Sequence, residues 1–219
     1  DGLNAEIKLG IGPLLAATLM PRFLLGAFSG TWPYVVKVST ASAAPLIESL
    51  NAGELDIVLA PSQLNLHQER LHQRVVFPDR LVIIAGAQAP LVKLGRKVGK
   101  DDLANAKWIV AGAKAGIHGT ETEIFHHLGL EAPSTRLSVT GDLMIPFELL
   151  KISDALVVLP ERLFNLLGEK NGACILDADI PLVRRDISIW MRKSDQFRPE
   201  FLHFEKVFSR YLEQEEFLV

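Results

Sequence analysis

The sequence predicts an α/β protein with room for two lobes, and three observations carry that prediction. Strand and helix signals alternate along nearly the whole chain. Prolines and glycines fall at the joins between these segments. No fixed-period repeat, low-complexity tract or long linker interrupts them. Repeated strand, helix, strand order implies parallel pairing through right-handed crossovers. At 219 residues the chain suits one large domain or two lobes of about 100 residues each.

The elements follow in order. Ile7 to Ile11 alternates apolar and polar as a strand, and Gly12-Pro13 closes it and opens a helix. Leu15, Leu19, Phe23, Ala27 and Phe28 then recur at helical spacing, and Pro21 either bends this segment or marks where its regular part begins. Tyr34 to Val38 is a β-branched strand. Ser42 predicts an N-cap and Gly53 a C-terminal stop for the next helix, after which Asp56 to Leu59 forms a strand ending at Pro61. Leu81 to Ala85 and Trp108 to Ala111 are strands. Thr120 to Glu123 has the capping-box pattern of a helix that Gly129 ends. Leu137 to Thr140 is a strand, and Asp142 caps the helix carrying Phe147, Leu149 and Leu150. Ala155 to Leu159 is a strand, Glu161 to Leu167 a helix ended by Gly168, and Ile187 to Met191 the last strand. The tail from Pro199 to Gln214 carries a helical stripe of Phe201, Phe204, Val207, Phe208 and Tyr211.

Composition narrows the function. A 48% hydrophobic, 22% charged chain is that of an ordinary globular protein with a substantial core. A net charge of -3 argues against this chain gripping nucleic acid by itself. The one basic cluster, Lys93, Arg96, Lys97 and Lys100, reads as a solvated turn. Cys174, the single cysteine, excludes an internal disulfide, fits a reducing compartment and reads as a buried, inert thiol. No secretory signal precedes the first strand, although a processed exported protein would also lack one. The longest apolar run, Leu9 to Leu25, is broken by Gly12, Pro13, Pro21 and Arg22, short of the roughly 20 residues that span a bilayer.

Catalytic signals are poor. Gly10-Ile11-Gly12 lacks the third glycine of a dinucleotide loop, because position 15 is Leu15. There is no nucleophile elbow, no phosphate-binding Walker loop and no spaced metal-ligand set. His126 and His127 are neighbours on a helix and point about 100° apart. The expectation is therefore a binding protein with no catalytic residue, metal or cofactor.

Three stretches carry a resemblance. Pro21-Arg22-Phe23-Leu24-Leu25-Gly26-Ala27-Phe28, with Trp32-Pro33-Tyr34-Val35, is a proline-led helix with an aromatic end and a proline before the next strand. Leu46 to Leu59 reads helix, Gly53-Glu54-Leu55-Asp56 turn, strand. Phe77-Pro78-Asp79-Arg80-Leu81-Val82-Ile83-Ile84-Ala85 is followed by Ala89-Pro90-Leu91. Together these resemble the effector-binding domain of LysR-type transcription regulators, from about Ile7 to Phe208. One departure is Asp154 to Pro160, where the family usually has a glycine-rich turn into the strand.

The resemblance implies two Rossmann-like lobes joined by two crossover strands, in the manner of type 2 periplasmic binding proteins. Lobe I would be residues 1–79 plus 185–219 and lobe II residues 80–184, with crossings near Pro78 to Leu81 and Val183 to Asp186. It further implies a cytoplasmic regulator that binds a small effector between its lobes and forms a homodimer or tetramer. Such a protein touches DNA only through an N-terminal winged helix-turn-helix, which nothing in this sequence resembles. RNA polymerase is a possible partner of the full-length regulator, and a membrane is not. The alternative of the same fold is an exported solute-binding protein of an ABC transporter. An enzyme on this scaffold is the third possibility, without a catalytic constellation to support it.

Ligands in open α/β sheets bind outside the carboxyl ends of strands, where helix N-termini present free N–H groups. Those ends place Pro13, Leu14, Thr40, Ser42, Pro61 and Ser62 in the candidate site, together with Gly116, Ile117, His118, Thr140 and Asp142. Thr40 and Ser42 can donate to a carboxylate beside a helix N-terminus, although Ser42 is equally suited to capping. Gly112, Gly116 and Gly119 allow an anion-binding backbone nest or simply a turn. His118 suits a carboxylate or a place on the rim, Lys114 a counter-ion or a solvent-facing position, and Asp142 an effector amine or a helix cap. Arg22 is the one charge between Leu14 and Phe28, so the opening helix carries more apolar surface than one buried face requires. That surface suits either deep burial or a second subunit, whose counterpart would be the helix around Glu121 to Leu128.

Overall fold

The computed structural model describes residues 5–64, 69–111, 125–126, 128–132, 136–139, 142, 144–167, 172–181 and 183–215. By its contacts the chain divides into unit 1, Asp1–Pro78 with Asp186–Val219, and unit 2, Asp79–Arg185.

Unit 1 is built on strands β1 (Glu6–Ile11), β2 (Val35–Thr40), β3 (Ile57–Pro61), β4 (Leu71–Phe77) and β11 (Ile187–Arg192), in the order β2-β1-β3-β11-β4. β1 runs parallel to β2 and β3. β11 runs antiparallel to β3 and β4. The expectation of parallel pairing therefore fails for the returning strand: apolar patterning encodes burial, not direction. β4 had no counterpart in the sequence reading, because Leu71 to Phe77 mixes His72, Gln73 and Arg74 into the run.

Proline placement shapes the first helix. α1 (Pro13–Ala17) begins with Pro13, and the chain breaks at Thr18-Leu19 before α2 (Met20–Phe28), with Pro21 in its first turn. Thr18 Oγ1 donates to the Leu14 carbonyl at 2.7 Å, beside the Thr18 N–H that bonds the same oxygen at 3.1 Å, so one residue doubly caps the last turn of α1. Of the two roles open to Pro21, marking the start is the one observed. α3 (Ala43–Asn51) ends at Gly53, whose positive φ of 79° suits a residue without Cβ. Glu54 N–H donates to Ser49 and Gly53 N–H to Leu50, the paired bonds of a Schellman stop. Ser42 occupies the N-cap position, but its hydroxyl makes no cap bond, contrary to expectation.

The tail helix, labelled α7 (Pro199–Gln214), buries Phe201, Phe204 and Phe208 completely. Each such burial stabilises by about 1.5–3 kcal/mol before entropy is charged. Phe23 of α2 ties this stripe to Trp32, with ring centroids 4.8 Å from Phe208 and 5.0 Å from Trp32.

Unit 2 holds β5 (Arg80–Gly86), β6 (Trp108–Ala111), β7 (Arg136–Val139), β8 (Leu156–Pro160), β9 (Ala173–Ile175) and β10 (Val183–Arg184). The order is β10-β5-β8-β6-β7, with β9 also on β5. β6 is parallel to β7 and β8, while β5 is antiparallel to β8, β9 and β10. Its helices are α4 (Lys100–Ala104), α5 (Met144–Ile152) and α6 (Glu161–Leu167), with a 3-10 turn at Pro90–Lys93. β5 is buried throughout after Arg80, and β8 along its whole length, which is why both read as continuous apolar runs. Asp142 caps α5 as expected: Oδ1 accepts Met144 N–H at 2.6 Å and Ile145 N–H at 3.1 Å. Gly129, at φ 69°, makes the same Schellman stop as Gly53 after Phe125 and His126. The capping box at 120–123 and the stop at Gly168 lie outside the described residues.

Two smaller expectations are refined. Cys174 is half-buried on β9 rather than enclosed, and burial raises its thiol pKa, which keeps it protonated. The basic turn is paired: Arg96 forks onto Asp102, Lys93 donates to Gln88, and Lys97 lies 4.0 Å from Asp177.

Candidate functional site

The parallel part of unit 1 brings three strand exits to one edge of its sheet. The pairing of Ile11 with Thr40 and with Leu59 sets β1, β2 and β3 level there. β1 leaves through Gly12 into Pro13, whose fixed φ starts α1 immediately. β2 leaves through Thr40-Ala41-Ser42 into α3, and the Ala41 N–H to Ile11 carbonyl bond of 3.4 Å joins these two exits. Nothing lies within 4 Å of where a Cβ on Gly12 would stand, so its flank is open.

Thr40 is exposed and Ser42 half-buried, and neither hydroxyl has a hydrogen-bond partner among the described residues. The first N–H groups of α3 point away from their own helix toward this edge. Pro13 and Leu14 are half-buried and Pro61 is buried, so apolar surface accompanies the hydroxyls. No acidic residue stands in the first turn of α1 or α3. A helix N-terminus with two donors and no nearby carboxylate in its own turn favours an anion.

Ser62 differs from its neighbours. Its hydroxyl donates to the Asp186 carbonyl at 3.0 Å and lies 2.7 Å from Ser188 Oγ. Of the unit 2 candidates, Gly116, Ile117, His118 and Thr140 lie outside the described residues, as do Lys114 and the Gly112 to Gly119 turn. Asp142 is described, exposed, and engaged as the α5 cap.

The sequence reading missed a charged cluster around Asp79, which is 6% exposed. Its Oδ1 accepts Arg80 N–H at 2.7 Å and Arg162 N–H at 3.0 Å. Burial raises its pKa, and these backbone donors, with that of Leu163, oppose the rise. Arg80 forks onto Glu161, the first residue of α6. Burial lowers the Arg185 pKa to about 10 against the opposing pull of Asp79. One signal was available: α6 follows Pro160, which has no side-chain acceptor, so its cap had to come from elsewhere.

Among the described residues no group of three His, Cys, Asp or Glu side chains is placed to hold a metal. A cavity of about 10 Å³ in unit 2, lined by Trp108, Val110, Phe125 and Val158, is at most the size of a single water. It is a packing gap within an apolar core. No described helix is long and apolar enough to cross a membrane.

The LysR substrate binding domain family matches residues 1–212. The chain belongs to this family. LysR substrate-binding domains are the effector-binding parts of transcription regulators, which are not enzymes. Solved LysR-type structures share the fold, a mixed α/β, two-lobed arrangement like that of periplasmic binding proteins. The BenM effector-binding domain with its effector benzoate aligns with a TM-score of 0.78 at 16% identity, covering 100% of this chain and 96% of that one. The regulatory domain of MexT, a transcriptional activator in Pseudomonas aeruginosa, aligns at 0.73 and 16% identity, covering 94% and 98%. The reduced regulatory domain of OxyR2 from Vibrio vulnificus aligns at 0.72 and 18% identity, covering 97% and 98%. No curated protein sequence matches this LysR-type domain directly.

Proposed function

We propose that this LysR-type domain senses a small organic anion, held in the inter-lobe cleft that the family architecture implies. The observation that carries the reading is the pair of unbonded hydroxyls, Thr40 and Ser42, at adjoining strand exits of unit 1 beside the open flank of Gly12. Pro13, Leu14 and Pro61 supply apolar contact, and Ser62 borders them. Gly116, Ile117, His118, Thr140 and Asp142 are the proposed contributors from lobe II (80–184), and the others come from lobe I (1–79 with 185–219). The benzoate of BenM supports a carboxylate as the class of ligand. The regulator works in the cytoplasm, the full-length protein meets DNA through its winged helix-turn-helix, and RNA polymerase is a further partner of the full-length protein. The solute-binding alternative differs in what precedes the domain in its gene, a signal peptide instead of a helix-turn-helix.

The test is a thermal-shift screen of small organic acids, benzoate included. A bound anion at a hundredfold excess over Kd raises stability by about 2.7 kcal/mol. Thr40→Val and Ser42→Ala should each weaken that anion by about 10- to 150-fold, the range for a hydrogen bond to a charged group. Unchanged affinity in both variants overturns the placement.

The same reading includes a homodimer through α2. Leu25 is 63% and Phe28 89% exposed, two large apolar side chains three positions apart on one side of α2. The segment from Glu121 to Leu128, most of which lies outside the described residues, is the proposed counterpart on the second copy.

A further inference from the structure

The chain passes between its units at two peptide junctions, Pro78–Asp79 and Arg185–Asp186. At the second junction, adjacent residues are fastened to different units. Arg185 N–H donates to the Asp79 carbonyl at 2.7 Å, within unit 2. The Asp186 carbonyl accepts Ser62 N–H at 2.7 Å and the Ser62 hydroxyl at 3.0 Å, within unit 1.

The Ser62 hydroxyl is itself held in a closed network. Ser188 Oγ lies 2.7 Å from it, and Gln73 Nε2 donates to Ser188 Oγ and to the Ser62 carbonyl, both at 3.1 Å. A hydroxyl has one proton to donate. With the Ser62 proton on Asp186, Ser188 must donate to Ser62, and Gln73 fills the acceptor site left on Ser188. Every donor in this chain is used, and Ser188 is 0% exposed, so water does not replace a lost member there. The cluster sits where β11 is least regular, because its register against β4 shifts between Ile187 and Ser188. One side-chain network thus fastens residue 186, the first residue of unit 1 after the junction, beside a bulge.

We propose that the Ser62–Ser188–Gln73 network is a clasp on the Asp186 carbonyl that sets how freely the units turn about the Arg185–Asp186 junction. Ser62 also follows β3 directly, at the strand exits assigned to the effector. Resting on that assignment, an effector group that takes the Ser62 hydroxyl leaves the Asp186 carbonyl with the Ser62 N–H alone and loosens the clasp, so site occupancy and hinge freedom share one proton.

The test needs no effector, so its failure is distinguishable from failure of the assignment. In a Cys174→Ser background, Glu48→Cys and Asn165→Cys place nitroxide labels on exposed positions, one in each unit. Pulsed electron-resonance distances are compared for the parent, Ser62→Ala and Ser62→Thr, with amide exchange followed at Ser62, Ile187, Leu9 and Ile11. The expected result is a broader distance distribution in Ser62→Ala and recovery in Ser62→Thr. Exchange at Ser62 and Ile187 should rise about tenfold, the equivalent of one hydrogen bond, with Leu9 and Ile11 unchanged. An unaltered distribution, or equal acceleration at all four amides, overturns the proposal. Should Ser62→Ala not fold, Gln73→Ala at an exposed position removes the network's outer donor, and the same two outcomes decide.

Discussion

Asp79 Oδ1 accepts the backbone N–H of Arg162 at 3.0 Å, across 83 positions of sequence. Helix α6 starts directly from Pro160, so this distant carboxylate does the work of an N-cap. Losing such a cap costs about 0.5–2 kcal/mol, and the buried N–H groups left behind add about 1–3 more. Asp79→Ala should therefore lower urea-unfolding stability clearly more than Asp79→Asn, which keeps an acceptor at Oδ1.

Asp79 also predicts a pH effect with a definite sign. Its folded pKa is raised by burial, so the folded chain binds this proton more readily than the unfolded chain. The stability it contributes is complete below the unfolded value, about 3.9, and is lost as pH rises through the folded value. Unfolding measured upward from pH 3.5 should show that loss, and Asp79→Asn should remove it. A pH profile identical in the two proteins contradicts the burial argument.

Asp102 should behave in the opposite sense. The Arg96 guanidinium holds its pKa down to about 2. Its stabilising effect is present above the unfolded pKa and fades as pH falls toward 2. Arg96→Gln should return the carboxyl titration, followed by NMR, toward the ordinary range. High salt should have a similar though smaller effect at this exposed pair.

Gly86 and Gly12 make a matched pair of tests. A Cβ on Gly86 would come within 2.0 Å of the Leu150 carbonyl oxygen at the end of α5, and backbone cannot step aside cheaply. Gly86→Ala should cost about 1–3 kcal/mol or more by overpacking. Gly12 has φ -66° and an open flank, so Gly12→Ala should fold normally. A larger side chain there, Gly12→Val, should keep the thermal midpoint of the free protein and abolish the shift given by a bound acid.

The proposed dimer predicts sedimentation at twice the 24.1 kDa chain mass at tens of micromolar. Leu25→Arg should return it to the single-chain mass without loss of secondary structure. A single-chain mass for the unaltered protein under those conditions removes the dimer.

Much of the fold could be read from the residues because the signals are local. Asp142 caps α5 from two residues away, and Gly53 and Gly129 stop helices through their own positive φ. The tail stripe spaces Phe201, Phe204 and Phe208 on one face of α7, and all three are buried. The strand exits were legible for the same reason, since Gly12-Pro13, Ser42 and Pro61 mark them in the chain itself. What those exits hold was less legible. Ser42 looks identical in sequence whether its hydroxyl caps α3 or, as observed, makes no cap bond.

The sequence by itself determined the α/β class, the helix stops and the membership of the LysR family, because periodicity, capping and motif order are written within a few residues. Tertiary structure decided the rest. β5 and β11 run against their neighbours, and burial patterning is the same in either direction. Ser62 meets the Asp186 carbonyl across 124 positions, and Asp79 meets Arg162 across 83. Such bonds exist only once two distant strands have been placed side by side, and no local pattern in either segment specifies its partner.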